Sequence, residues 1–161
     1  LGNFDRHNGN WGILVDERSK MAEIAPVYDC GSCLYPQLAI NDMEAVLNNE
    51  DELDKRIYVF PASSIEENGK KISYFEFISS LKNQDCTAAL KRVSARIDME
   101  KIQALIDETP TLLPIQKEFY TVILSERKAK IIDYSMEQFM KLEKLEPEQE
   151  GLKNQGQQFS M

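Results

Sequence analysis

The sequence predicts a mainly α-helical domain with one small β-hairpin near its start. An apolar stripe at helical spacing follows Pro114 for about 25 to 30 residues. Two short runs of strand formers flank a polar turn at residues 16–19. The composition, 42% hydrophobic and 29% charged, is that of a globular chain and excludes collagenous, coiled-coil-only and fully disordered classes. At 161 residues the chain is long enough for one domain with one core.

Trp11-Gly12-Ile13-Leu14-Val15 reads as a strand, Asp16-Glu17-Arg18-Ser19 as a turn and Met21-Ala22-Glu23-Ile24-Ala25 as the returning strand. A strand out and a strand back return the chain to its start, so Tyr28-Asp29 is expected beside Asn10. Leu38 to Asn68 is acidic and loop-like, with a helical turn at Asp42 to Leu47 and a short strand at Arg56 to Phe60 closed by Pro61. Asn68-Gly69 is a tight-turn signal. Ser73 precedes Tyr74, Phe75, Phe77, Ile78 and Leu81, an apolar face at helical spacing. Asp85 is expected to cap a helix to about Ala95, and Asp98 another through about Asp107 that buries Ile102, Leu105 and Ile106. Pro110 and Pro114 punctuate a link. The long helix then places Ile115, Phe119, Val122, Ile123, Ala129, Ile132, Met136, Phe139 and Met140 on one stripe. From Glu146 polar residues prevail, so the folded domain is expected over 1–145 and a flexible tail over 146–161.

A formal charge of -8 repels phosphate backbones and anionic bilayers, which argues against direct nucleic-acid or membrane binding. No apolar run approaches a membrane span and the first residues lack the pattern of a signal peptide. Three cysteines, Cys30, Cys33 and Cys86, make no closed disulfide framework. A cytoplasmic location is expected. The chain begins at Leu1 with catalytic-looking residues crowded into its first ten positions, which predicts a fragment of something longer.

The sharpest feature is Asp5-Arg6-His7-Asn8-Gly9-Asn10, followed beyond the hairpin by Tyr28-Asp29-Cys30-Gly31. Phosphoryl transfer needs a carboxylate to orient a hydroxyl, and hard oxygen ligands for magnesium on ATP phosphates. In protein kinases a catalytic Asp precedes the metal-binding Asn by the spacing of Asp5 and Asn10, and a later Asp-x-Gly adds a second metal-binding carboxylate, here Asp29. Either element alone is common and is usually a turn. Both joined by a hairpin are much rarer.

Gly2-Asn3-Phe4-Asp5-Arg6-His7-Asn8-Gly9-Asn10-Trp11-Gly12 together with Ala25-Pro26-Val27-Tyr28-Asp29-Cys30-Gly31 resembles the HipA-like serine/threonine kinases. The family pattern Asn-x-Asp-x-His-x-x-Asn falls on Asn3, Asp5, His7 and Asn10, and Ala-Pro-x-Tyr-Asp on residues 25–29. The resemblance implies a protein-kinase-like C-terminal lobe, with Asp5 catalytic, Asn3 and His7 shaping the catalytic loop, and Asn10 and Asp29 holding magnesium on ATP. It also implies a protein substrate and, because such kinases act in toxin–antitoxin systems, an antitoxin partner. The strong match covers about the first 35 residues. No glycine-rich Gly-x-Gly-x-x-Gly loop occurs in the chain, so the ATP-gripping half is missing and the piece alone is expected to be inactive.

Rival readings follow from the same residues. Asp-Arg-His followed by Asn also resembles the catalytic loop of phosphatidylinositol kinases, which the acidic balance disfavours. An HNH-type nuclease needs more than the single histidine, His7. Cys30-Gly31-Ser32-Cys33 has the spacing of a redox centre or half a zinc site, with Cys86 and His7 as nominal further ligands. A kinase-like lobe that binds a partner without chemistry would have no need of Asp5, Asn10 and Asp29 together. Lys70-Lys71 and the basic residues Lys91, Arg92 and Arg96 read as solvated faces.

Overall fold

The computed structural model describes residue 3, residues 8–60 and residues 62–157; side chains are described among these except at residue 8 and from residue 146 onward. A 3-10 turn at Asn8–Asn10 leads into β1, Ile13–Val15, which pairs antiparallel with β2, Ala22–Ile24, in the register Ile13 with Ile24 and Val15 with Ala22. The connecting turn is built on Asp16. Its carboxylate accepts from the Arg18 amide at 2.8 Å and the Ser19 hydroxyl at 2.7 Å, and Lys20 closes the turn in the left-handed region. The hairpin thus forms where strand propensity and turn chemistry place it.

After a second 3-10 turn, Gly31–Leu34, the chain is helical: α1 Ile40–Leu47, α2 Glu50–Asp54, α3 Tyr74–Ser79, α4 Gln84–Ser94, α5 Met99–Glu108, α6 Pro114–Arg127 and α7 Tyr134–Gln157. A minimal hairpin of β3, Glu66–Glu67, and β4, Lys70–Lys71, interrupts them, turning at Asn68 and Gly69, both at positive φ. α6 lies at the centre, packed by α1 and α5, while α3 and α4 pack on α7. The core joins Tyr35, Met43, Val46, Ile106, Phe119, Tyr120, Ile123 and Leu124. A second aromatic cluster links Tyr58, Phe75 and Tyr134, with ring centroids 5.1 and 5.5 Å apart.

Several starts fall where the sequence puts them. Ser73 caps α3 in a reciprocal box with Glu76, and the Asp98 side chain accepts from the Lys101 amide at 3.1 Å. Pro114 takes the first position of α6, where its missing N–H costs nothing. Others move. α4 is capped by Asn83, whose side chain accepts from the Cys86 amide at 2.8 Å, and Asp85 sits in the first turn instead, where its charge suits the helix dipole. Leu105, expected in the core, is 69% exposed because α5 turns only its Ile102 and Ile106 side toward the bundle.

The expected strand at Arg56 to Phe60 is instead a helical continuation of α2, a wide π-type stretch over Lys55–Val59. β-formers Ile57, Tyr58 and Val59 are overridden because Asn49 caps α2, accepting from Asp51 and Glu52, and the continuing turn buries Ile57. A second π-type stretch, Lys128–Asp133, joins α6 to α7. Each π ring takes in one more residue than an α ring, so the buried stripe past Arg127 departs from the α spacing read in the sequence. Ala129, expected inside, is exposed and Ile131 is buried in its stead. The same widening lets Lys128 reach Asp133, five residues on, at 2.7 Å. Lys130 in this stretch pairs with Asp54 at 2.7 Å and Glu126 at 3.0 Å, and these contacts, the hydrogen bond to Asp54 foremost, raise its pKa.

Candidate active site

The hairpin returns as its register requires. Asn10, at the end of the first 3-10 turn, is almost fully buried, and its side-chain amide donates to the Asp29 carboxylate across 19 residues of sequence. Around this contact the strands are closed by the Ala25 amide on the Gly12 carbonyl at 2.9 Å and by the Tyr28 hydroxyl on the Gly9 carbonyl at 3.0 Å. Asn3 donates from its side chain to the Asp29 carbonyl at 2.9 Å. Asp29 itself is exposed and holds φ at +54°, a left-handed conformation that few non-glycine residues adopt and that recurs where a functional group must be aimed.

The structure therefore brings together Asn3, Asn10 and Asp29; Asp5 and His7 lie outside the described residues. The oxygens of the Asn10 amide and the Asp29 carboxylate are hard donors on adjacent side chains, the chemistry that suits magnesium, which takes few protein ligands and completes its shell with water and phosphate. Oxygen donors of this kind suit a hard cation better than a soft one. Among the described residues no group of three or more His, Cys, Asp and Glu is arranged to hold a metal. Cys30 is exposed and Cys33 buried; burial, followed by the neighbouring Cys30, pushes the Cys33 thiol up. Cys86 is likewise raised by burial.

Two residues with no place in the sequence reading stand next to this segment. Tyr35, buried and at φ +53°, lies under the segment's far end and packs edge-on against Phe119, with centroids 6.0 Å apart. Arg127, buried at the end of α6, donates to the Tyr35 hydroxyl at 2.6 Å. Burial raises the Tyr35 pKa, opposed in part by Arg127 and Arg56, and burial lowers that of Arg127. Spacing alone offers a partial signal for the place of Arg127, though not for its partners. Phe119, Ile123, Ile131 and Ser135 form a buried row at intervals of four, and Arg127 occupies its middle. A cavity of about 440 Å³ between α5 and α6, lined by Gln103, Asp107, Lys117 and Thr121 among others, includes neither Asn10 nor Asp29.

No family model matches the chain. The serine/threonine-protein kinase CtkA of Helicobacter pylori is 54% identical over 134 residues, which are 83% of this chain and 41% of that protein. The chain is homologous to a serine/threonine-protein kinase. The crystal structure of a Helicobacter pylori proinflammatory kinase CtkA superimposes with a TM-score of 0.81 at 51% identity, covering 89% of this chain and 52% of that one. The chain spans about half the length of these relatives. Among the described residues no helix is long and apolar enough to cross a membrane.

Proposed function

We propose that this chain is the part of a HipA-like serine/threonine protein kinase that carries the catalytic loop and the metal-holding segment, a C-terminal lobe over residues 1–145 followed by a tail over 146–161. One observation carries the reading: Asn10 and Asp29 meet across the hairpin in a chain 54% identical to a named serine/threonine kinase. A turn-forming Asn and a turn-forming Asp need not meet. A magnesium site built from them must bring them together.

In this reading the reaction moves the ATP γ-phosphoryl group to a protein hydroxyl. Asp5 accepts a hydrogen bond from that hydroxyl and orients it toward phosphorus. His7 shapes the catalytic loop, and Asn3 holds the Asp29 backbone so that the carboxylate keeps its aim. Asn10 and Asp29 would hold magnesium, which when bound neutralises phosphate charge. The hydrogen bond from the Asn10 side-chain amide holds that carboxylate before substrate arrives, so little reorganisation is needed during transfer. The ATP-gripping half comes from the part of the kinase that this chain does not span. A cytoplasmic, toxin-like kinase with a protein antitoxin, and with no direct nucleic-acid or membrane contact, completes the proposal.

The test is a chimera in which this chain replaces its matched segment in the Helicobacter relative. Transfer of label from ATP to protein is expected, and Asp5→Ala or Asp29→Ala should each lower it by about a thousandfold or more without unfolding the protein. Activity retained in either variant overturns the assignment. The 161-residue chain alone should bind Mn2+, a spectroscopic stand-in for magnesium, and lose that binding on Asp29→Asn.

A further inference from the structure

The segment from Asp29 to Tyr35 is pinned at both ends. At its start Asn10 and Asn3 hold the Asp29 carboxylate and carbonyl. At its end the Arg127 guanidinium donates to the Cys33 carbonyl at 3.3 Å and the Tyr35 hydroxyl at 2.6 Å, and also to the Arg56 carbonyl at 2.9 Å. Tyr35 in turn donates to the Phe60 carbonyl at 2.9 Å. One side chain therefore joins three stretches: the segment behind Asp29, the continuation of α2, and the central helix α6. The two ends of the segment are also its two left-handed residues, Asp29 and Tyr35. Such a conformation persists only where its surroundings over-determine it.

A buried guanidinium is costly, and a hydrophobic residue of similar volume would fill the row between Ile123 and Ile131 at lower cost. What Arg supplies and an aliphatic side chain cannot is a rigid planar fork of donors at fixed angles. Both helices widen where the fork acts. The π-type stretch Lys55–Val59 contains Arg56, and the stretch Lys128–Asp133 begins immediately after Arg127. Wide turns of this kind concentrate at functional positions. Arg56 adds its own guanidinium against the Tyr35 ring, 5.5 Å from the centroid, so the ring is fixed in orientation as well as in depth.

We propose that Arg127 is a positioning residue for the Asp29 carboxylate: by clamping Cys33 and Tyr35 to α6 it fixes the far end of the segment whose near end aims Asp29 at Asn10. That Asp29 holds metal rests on the kinase reading; that Arg127 fixes its segment does not. The experiment is Arg127→Lys in the 161-residue chain, which keeps the charge and removes the fork. Amide hydrogen exchange and Mn2+ titration are both read. Amides of residues 29–35 should exchange about tenfold faster, while those around Leu90 and Ile106 stay unchanged. Affinity for Mn2+ should fall about tenfold. Tyr35→Phe, which keeps the ring and removes the hydroxyl, should shift both in the same direction by less, and stands in if Arg127→Lys does not fold. Leu90→Ala, which lowers stability far from the segment, should leave Mn2+ affinity of the folded protein unchanged.

Unchanged exchange over 29–35 overturns the proposal, as does faster exchange with undiminished Mn2+ affinity. If the unmodified chain shows no Mn2+ binding that depends on Asp29, the kinase reading fails. The clamp is then decided by exchange together with the Asn10 side-chain amide resonance, which must move in Arg127→Lys if Asp29 has lost its aim.

Discussion

In the helical bundle Phe119, Met43 and Ile123 are sealed from solvent, whereas in the hairpin Ile13, Leu14, Val15 and Ile24 are 56 to 81% exposed. The two regions are similarly apolar in sequence and opposite in use. Bundle residues stabilise by leaving water, at about 25 cal/mol per Å² of buried apolar surface. Hairpin residues are held by strand pairing, by the Asp16 turn and by the bonds that close its base at Gly9, Gly12 and Asp29. A two-stranded ribbon is marginal by itself, so the contacts that build the candidate site also hold the ribbon together. The difference teaches that apolar content marks a core only where another element covers it.

The largest expected effect breaks the bundle. Phe119→Ala removes a ring that touches both Tyr35 and Tyr120 and should cost about 3–5 kcal/mol, read by chemical denaturation. Ile24→Ala, at 81% exposure, should stay within about 0.5 kcal/mol in the same assay. Equal losses would erase the contrast. Asn83→Ala, which strips the cap from α4, should cost about 1 kcal/mol. Exposure of Trp11, Ile13, Val15, Ile24 and Val27 together predicts self-association, visible in light scattering as a mass above 18.5 kDa that rises with concentration. Ile24→Lys with Val27→Lys should return the chain to monomer mass, and a wild-type monomer at all concentrations would contradict the apolar ribbon as a sticky face. The smallest effect is in pH. Hydrogen bonds from the Lys101 backbone and side chain hold the Asp98 carboxyl below its ordinary 3.8. Its contribution to stability is complete above that ordinary value and is lost as pH falls through the lower folded value. An NMR titration midpoint for Asp98 at or above 3.8 would contradict the cap.

Local chemistry made much of this legible. Asn68-Gly69, Ser73, Asp98 and Pro114 announce their turn or helix start because each acts through its own backbone or the next few residues. That Asn10 and Asp29 lie near each other was legible for the same reason, since a short hairpin returns the chain to its start; that their side chains bond was not. What stayed hidden depends on distance. Nothing in Arg56 to Phe60 reveals that α2 continues through it, because the decision rests on burying Ile57. Arg127 and Tyr35 are 92 residues apart, and their bond exists only once α6 crosses the segment behind Asp29. Composition over 146–161 reads as a flexible tail, and within it the backbone of α7 runs to Gln157.

The wide turn at Lys128–Asp133 has a consequence for chain length. A π turn is an α turn that has taken in one residue, so its flanking helices sit as they would if that residue were missing. Deleting exposed Ala129 should therefore leave α6 and α7 facing the same neighbours. A relative one residue shorter here would superimpose without a shift on either side, and a gap placed at this point in an alignment would record a change in winding rather than a change in fold.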